Sequence, residues 1–80
     1  MIKILIKGPE RTIRVLEERL RYTCMIDLEI SNHMSGCKID ARKGNEWITL
    51  CRFTNDENVN NILTMFRIAI MQNFHKDIKI

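Results

Sequence analysis

The chain has 80 residues, 45% of them hydrophobic and 29% charged. This excludes a disordered chain and leads us to expect a single domain, 1–80, whose small core is marginal alone. A net charge of +3 and an isoelectric point near 9.0 permit a nucleic-acid partner without demanding one, because no dense Lys/Arg block is present.

No apolar run approaches the roughly 20 residues of a membrane span, so no membrane association is expected. Met1-Ile2-Lys3-Ile4-Leu5 is too short and too alternating for a signal peptide. Cys24, Cys37 and Cys51 lack CxxC spacing and are odd in number, which predicts reduced thiols in a cytoplasm. Alanine is rare (Ala41 and Ala69) while isoleucine and asparagine are common. Such a bias follows AT-rich genomes, phage genomes among them, and the cytoplasm would then be the host's.

Ile2 to Lys7 alternates apolar and polar residues and reads as a first strand, with Ile2, Ile4 and Ile6 on one face. Gly8-Pro9 breaks it, and proline suits a first helical position. Pro9 to Arg21 then reads as a helix whose Ile13, Leu16 and Leu20 face the sheet. Glu17 with Arg21, and Arg14 with Glu18, are spaced for local ion pairs. Arg11, Arg14 and Arg21 form a stripe away from the core, beside Val15 and Tyr22. Cys24 to Ile30 alternates as a second strand: Cys24, Ile26, Leu28 and Ile30 inward, Met25, Asp27 and Glu29 outward. Ser31-Asn32-His33-Met34-Ser35-Gly36 is loop-like in composition.

Cys37 to Phe53 reads as a hairpin turning at Lys43-Gly44. That turn sets Arg42 opposite Asn45, Ala41 opposite Glu46, Ile39 opposite Ile48 and Cys37 opposite Leu50. The core face is then Cys37, Ile39, Ile48 and Leu50. The other face carries Lys38, Asp40, Arg42, Trp47, Thr49, Cys51 and Phe53, and a slip of one residue exchanges the two.

Thr54 to Phe74 reads as one long helix opened by a capping box, Thr54-Asn55-Asp56-Glu57. Val59, Ile62, Leu63, Phe66, Ala69 and Ile70 make its core stripe. Met65, Ile68 and Met71 fall away from that stripe, as surplus apolar surface for a partner. Asp77 to Ile80 has the pattern of a short last strand.

The expected class is α+β: a small antiparallel-rich sheet with two helices packed on one face, in the order β-α-β-β-β-α(-β). The α-β-β-β-α portion resembles the layout of the double-stranded-RNA-binding domain. Asn55-Asp56-Glu57-Asn58, however, is acidic where that family carries a basic cluster. A βαββαβ ferredoxin-like layout is equally compatible, and no family is assigned.

The favoured functional expectation is a non-enzymatic RNA- or nucleic-acid-binding module. Arg11, Arg14, Arg21 and Tyr22 would carry it, helped by Lys3, Lys7, Lys38, Arg42 and Lys43. Trp47 and Phe53 beside Lys38 and Arg42 offer a stacking surface, opposed by Asp27, Glu29 and Asp40. The alternative is a phage-encoded inhibitor or antitoxin-like protein. It would dock on a host or toxin protein through Met65, Ile68 and Met71, or through Trp47 and Phe53. A third reading makes the same apolar surface the interface of a homodimer.

No cofactor, metal or catalytic residue is expected. His33 and Cys37 are four apart, but further ligands from Cys24, Cys51 or His75 are badly spaced, and no partner orients a Cys37–His33 nucleophile and base. Gly8-Pro9-Glu10-Arg11-Thr12 lacks the glycines and the Lys-Ser/Thr pair of a phosphate-binding loop. His75 reads as a favourable charge at a helix C-terminus.

Overall fold

The computed structural model describes residues 1–23, 26–31 and 37–79, without the side chains of 29–31. Its elements are β1 (Ile2–Lys7), α1 (Glu10–Leu20), β2 (Ile26–Ser31), β3 (Lys38–Lys43), β4 (Glu46–Arg52) and α2 (Val59–Phe74). They form a four-stranded mixed sheet in the order β2-β1-β3-β4, with both helices on one face. α1 is the crossover between the parallel strands β1 and β2, while β3 pairs antiparallel with β1 and with β4. The strands after α1 therefore do not form a meander, because β1 lies between β2 and β3.

Alternation in β1 sends Ile2, Ile4 and Ile6 under the helices. Ile13, Leu16 and Leu20 of α1 and Ile62, Leu63, Phe66, Ala69 and Ile70 of α2 meet them from above. The isoleucine, leucine and phenylalanine side chains buried this fully contribute about 1.5–3 kcal/mol each.

Several expectations need correction. The long helix starts at Val59: Asn58 is its N-cap, accepting from the Asn60 amide at 2.8 Å. Thr54 to Glu57 is a turn in which the Glu57 amide donates to the Thr54 carbonyl and the Thr54 hydroxyl donates to Asp56. Asn58 can offer the helix amides a side-chain oxygen closer to the apolar stripe than Thr54 can, and it wins. Arg14 pairs with Glu10 at 2.7 Å instead of Glu18. Past α2, His75 takes a left-handed conformation (φ 56°) that ends the helix. The described residues that follow form no strand. Ile78 instead folds back into the core at 3% exposure, beside an Arg67–Asp77 ion pair. Ile80 lies outside the described residues, as do Cys24, Met25 and the 32–36 segment with His33.

The hairpin turns one residue later than predicted. Lys43 pairs with Glu46, leaving Gly44-Asn45 as the two-residue loop, with Gly44 at φ 64°. Positive φ at the first loop position and not the second is the sign pattern of a type II′ turn, which favours glycine there. The ladder then slips between Ile39 and Asp40: Asp40 faces Thr49, but Ile39 faces Cys51, so Leu50 is an extra residue in β4. This bulge inverts the alternation beyond it. Cys51 and Phe53, expected on the outer face, turn under the helices at 8% exposure each. Arg52 is turned the other way, to the open face opposite Lys38.

Candidate nucleic-acid interface on the open sheet face

The face of the sheet without helices is built in rows that run across the strands. Lys7 pairs with Lys38, and Lys38 pairs with Arg52, so three cations stand in register across β1, β3 and β4. The next row is Leu5, Asp40 and Thr49. Arg42 and Trp47 form a third row at the hairpin end, and Lys3 sits opposite Asp27 toward β2.

Asp40 organises this surface. Its carboxylate accepts from the Thr49 hydroxyl at 2.9 Å and lies 3.7 Å from Lys7 Nζ and 3.4 Å from Lys38 Nζ. Its side chain is only 7% exposed, whereas the two lysine side chains keep about a quarter of their surface. The ammonium groups therefore roof the carboxylate and remain in reach of solvent. Trp47 is 43% exposed, and Arg42 next to it donates from Nε to the Gly44 carbonyl at 3.3 Å. Among the described side chains the face carries Lys3, Lys7, Lys38, Arg42 and Arg52 against Asp27 and Asp40, a positive excess. Glu29, the backbone partner of Leu5, has no described side chain.

The other predicted binding residues are not brought to this face. Arg11, Arg14 and Arg21 line a shallow depression of about 660 Å³ on the outer side of α1. Glu10, Glu17 and Glu18 line it too, so the stripe is neutral overall. Glu10 holds Arg14 at 2.7 Å and Glu17 holds Arg21 at 3.1 Å. The Glu17 hydrogen bond, with the Tyr22 hydroxyl second, raises the Arg21 pKa above its usual value. Tyr22, just past the end of α1, is exposed. Lys43 points to the helix side, 6.0 Å from the centre of the Phe74 ring.

The predicted apolar interface is also divided. Phe53 is buried and Met65 packs half-buried against the core, so neither is available. Ile68 (53% exposed) and Met71 (43%) remain open, in a groove of about 520 Å³ lined also by Thr64, Arg67, Gln72 and Asp77. Trp47 shares no surface with them.

Sequence reasoning missed Arg52 and the organising part of Asp40. Arg52 was hidden because regular alternation from Trp47 puts it in the core. The adjacent apolar pair Leu50-Cys51 was the one available hint of a bulge. Among the described residues no group of three or more His, Cys, Asp or Glu is placed to hold a metal ion. No described helix is long and apolar enough to cross a membrane. No family model, curated protein or solved structure matches the chain.

Proposed function

We propose that the protein is a non-enzymatic nucleic-acid-binding module that works through the open face of its sheet. The observation that carries this reading is the Lys7–Lys38–Arg52 row. Like charges directly opposite each other in a sheet are destabilising. Three in one row, with Asp40 the one carboxylate among the described side chains that pairs with them, fit a polyanionic partner that neutralises them on binding. Trp47 at the hairpin end adds an aromatic ring suited to a base. The α1 arginines, balanced by their own glutamates, contribute little.

Titration of labelled RNA and DNA at about 50 mM and about 200 mM salt tests the reading. Binding that weakens steeply with salt is expected. A Lys38→Glu, Arg52→Glu variant is expected to lose it, and an Arg11→Glu, Arg14→Glu variant to retain it. No binding at low salt, or loss only in the α1 variant, overturns the assignment to the sheet.

A second reading has its own observation. Ile68 and Met71 are neighbouring exposed apolar side chains on α2, on the helical side of the molecule, and fit a protein partner or a second copy of the chain. Sedimentation over a concentration series, and capture of partners by the native chain and by an Ile68→Asp, Met71→Asp variant, tests it. A monomer whose captured partners are unchanged by the variant removes it.

A further inference from the structure

We infer that the open face takes a single strand rather than a duplex, with one base stacked on Trp47 and the backbone running along β3 and β4 to the cation row. This rests on the nucleic-acid reading above and goes on to name the form of the ligand.

Trp47 is the chain's single tryptophan, and it is 43% exposed on the open face of the sheet. A ring in that position has a partner only if a base turns out of its stack. Duplex bases are hidden against one another, and grooves are entered by helices, ribbons or loops that project. Between the Arg42–Trp47 pair and the Lys38–Arg52 pair, the described residues of β3 and β4 on this face are Asp40 and Thr49, both with short side chains. Single-strand platforms combine an aromatic ring for a base with a cationic track for the phosphates. Both parts are present, at a workable separation. Arg42, beside Trp47, and Lys38, in the cation row, are four residues apart on β3. That is about 13 Å at about 3.3 Å per residue. A few nucleotides cover this distance, which matches the lower end of known site sizes, about 4 nucleotides.

The charge pattern agrees. The middle row, Leu5-Asp40-Thr49, carries the carboxylate, so the track is cationic at its two ends and not along its length. An extended strand can place phosphates at Arg42 and at Lys38–Arg52 and carry its sugars or bases over the middle row. Lys7 and Lys38 are already fixed by Asp40, so less side-chain freedom is lost when a phosphate arrives.

The test uses the emission of Trp47 in the full chain, free of any other tryptophan signal. Single-stranded octanucleotides of U and of dT are compared with RNA and DNA duplexes of about 12 base pairs, at about 50 mM salt. Single strands are expected to bind more tightly and to quench the emission. A Trp47→Ala variant is expected to bind them about tenfold more weakly, and Trp47→Phe to keep most of the affinity, as stacking on any aromatic ring requires. Circular dichroism confirms that both variants fold. Duplex bound as tightly as single strand, or single strand bound without quenching and with no loss in Trp47→Ala, overturns the inference and leaves nucleic-acid binding standing. Binding of neither form overturns both.

Discussion

Arg52 stands directly opposite Lys38 across the β3–β4 ladder, one cation facing another on the open face. Such a pair costs stability, because like charges at this separation repel by a few tenths to about 1 kcal/mol. Arg52→Glu turns it into an attractive pair. The variant is expected to gain up to about 1 kcal/mol, or a few degrees in Tm for a domain of this size, while losing affinity for nucleic acid. Thermal melts and salt-dependent titrations on the same sample check both halves. A variant that is less stable, or one that binds equally well, separates this residue from the interface.

Cys51 gives a prediction of a different kind. It lies under the helices opposite Ile39, and burial pushes its thiol pKa up from 9.0 to about 11, with the nearby Asp40 charge adding to the rise against a backbone hydrogen bond at Ile39. At pH 8 about one thiol in a thousand is ionised, so Cys51 should resist alkylation while half-exposed Cys37 reacts. Peptide mass spectrometry after iodoacetamide distinguishes the two. Between pH 9 and about 11 the folded chain holds a proton there that the unfolded chain has lost, so stability falls as pH rises through that window. The stability lead of the native chain over Cys51→Ala should be constant below pH 9 and shrink above it. Equal labelling of Cys51 and Cys37 at pH 8 in the folded protein contradicts the burial argument.

Much of the frame was legible in the sequence because local patterns decided it. Ile2, Ile4 and Ile6 alternate, Ile13, Leu16 and Leu20 recur at helical spacing, and each pattern admits a single buried face. What stayed illegible depended on pairing across strands. The apolar pair Leu50-Cys51 hints at a break in the alternation, but which residue is extra is fixed only by the pairing with Ile39 and Asp40. One such residue moved Phe53 inward and Arg52 outward, and with them the composition of the candidate site. Helix caps failed for a similar reason. Thr54 and Asn58 are both competent caps, and the choice was made by which one meets the first turn of a helix already docked through Ile62 and Phe66. The spacing of the α1 arginines does define an outward stripe, but Glu10 on Arg14 and Glu17 on Arg21, with Glu18 beside them, make that stripe neutral overall.

The segment after α2 sets a buried apolar residue against an exposed ion pair. Ile78 is 3% exposed in the core, whereas the Arg67–Asp77 pair next to it has about half of each side chain in water. A hydrogen-bonded surface pair contributes about 0.2–1 kcal/mol. Truncating a buried isoleucine costs about 2 kcal/mol or more. Ile78→Ala should therefore lower stability clearly more than Asp77→Ala, and the Asp77→Ala effect should fade with added salt. Urea unfolding of both variants at about 20 and about 500 mM salt is the measurement. Equal losses would mean that the tail is held by charge and not by burial.

Asp40 tests whether the carboxylate of the open face opposes a polyanion or prepares the face for one. Asp40→Asn keeps an oxygen to accept from the Thr49 hydroxyl and removes the charge that binds Lys7 and Lys38. Both lysines keep about a quarter of their side-chain surface, so their ammonium groups can turn to water and no bare charge is left buried. The stability loss should then stay near 1 kcal/mol, below that of Asp40→Ala, which also leaves the Thr49 hydroxyl without this acceptor. For binding, two effects compete. Removing the carboxylate makes the face one charge more positive, which strengthens attraction to phosphates. Releasing the lysines costs side-chain entropy when they are ordered again, about 0.5–1.5 kcal/mol for each. At about 50 mM salt the Debye length is longer than the roughly 10 Å reached at 0.1 M, so the charge effect should win and the Asp40→Asn variant should bind more tightly. At about 300 mM salt screening weakens that gain, while the ordering cost is unchanged, and the advantage should vanish or reverse. A crossover of the two salt titrations is the expected result. Tighter binding at every salt concentration would make Asp40 only an opponent of the ligand, and weaker binding at every concentration would make it chiefly the residue that positions the two lysines.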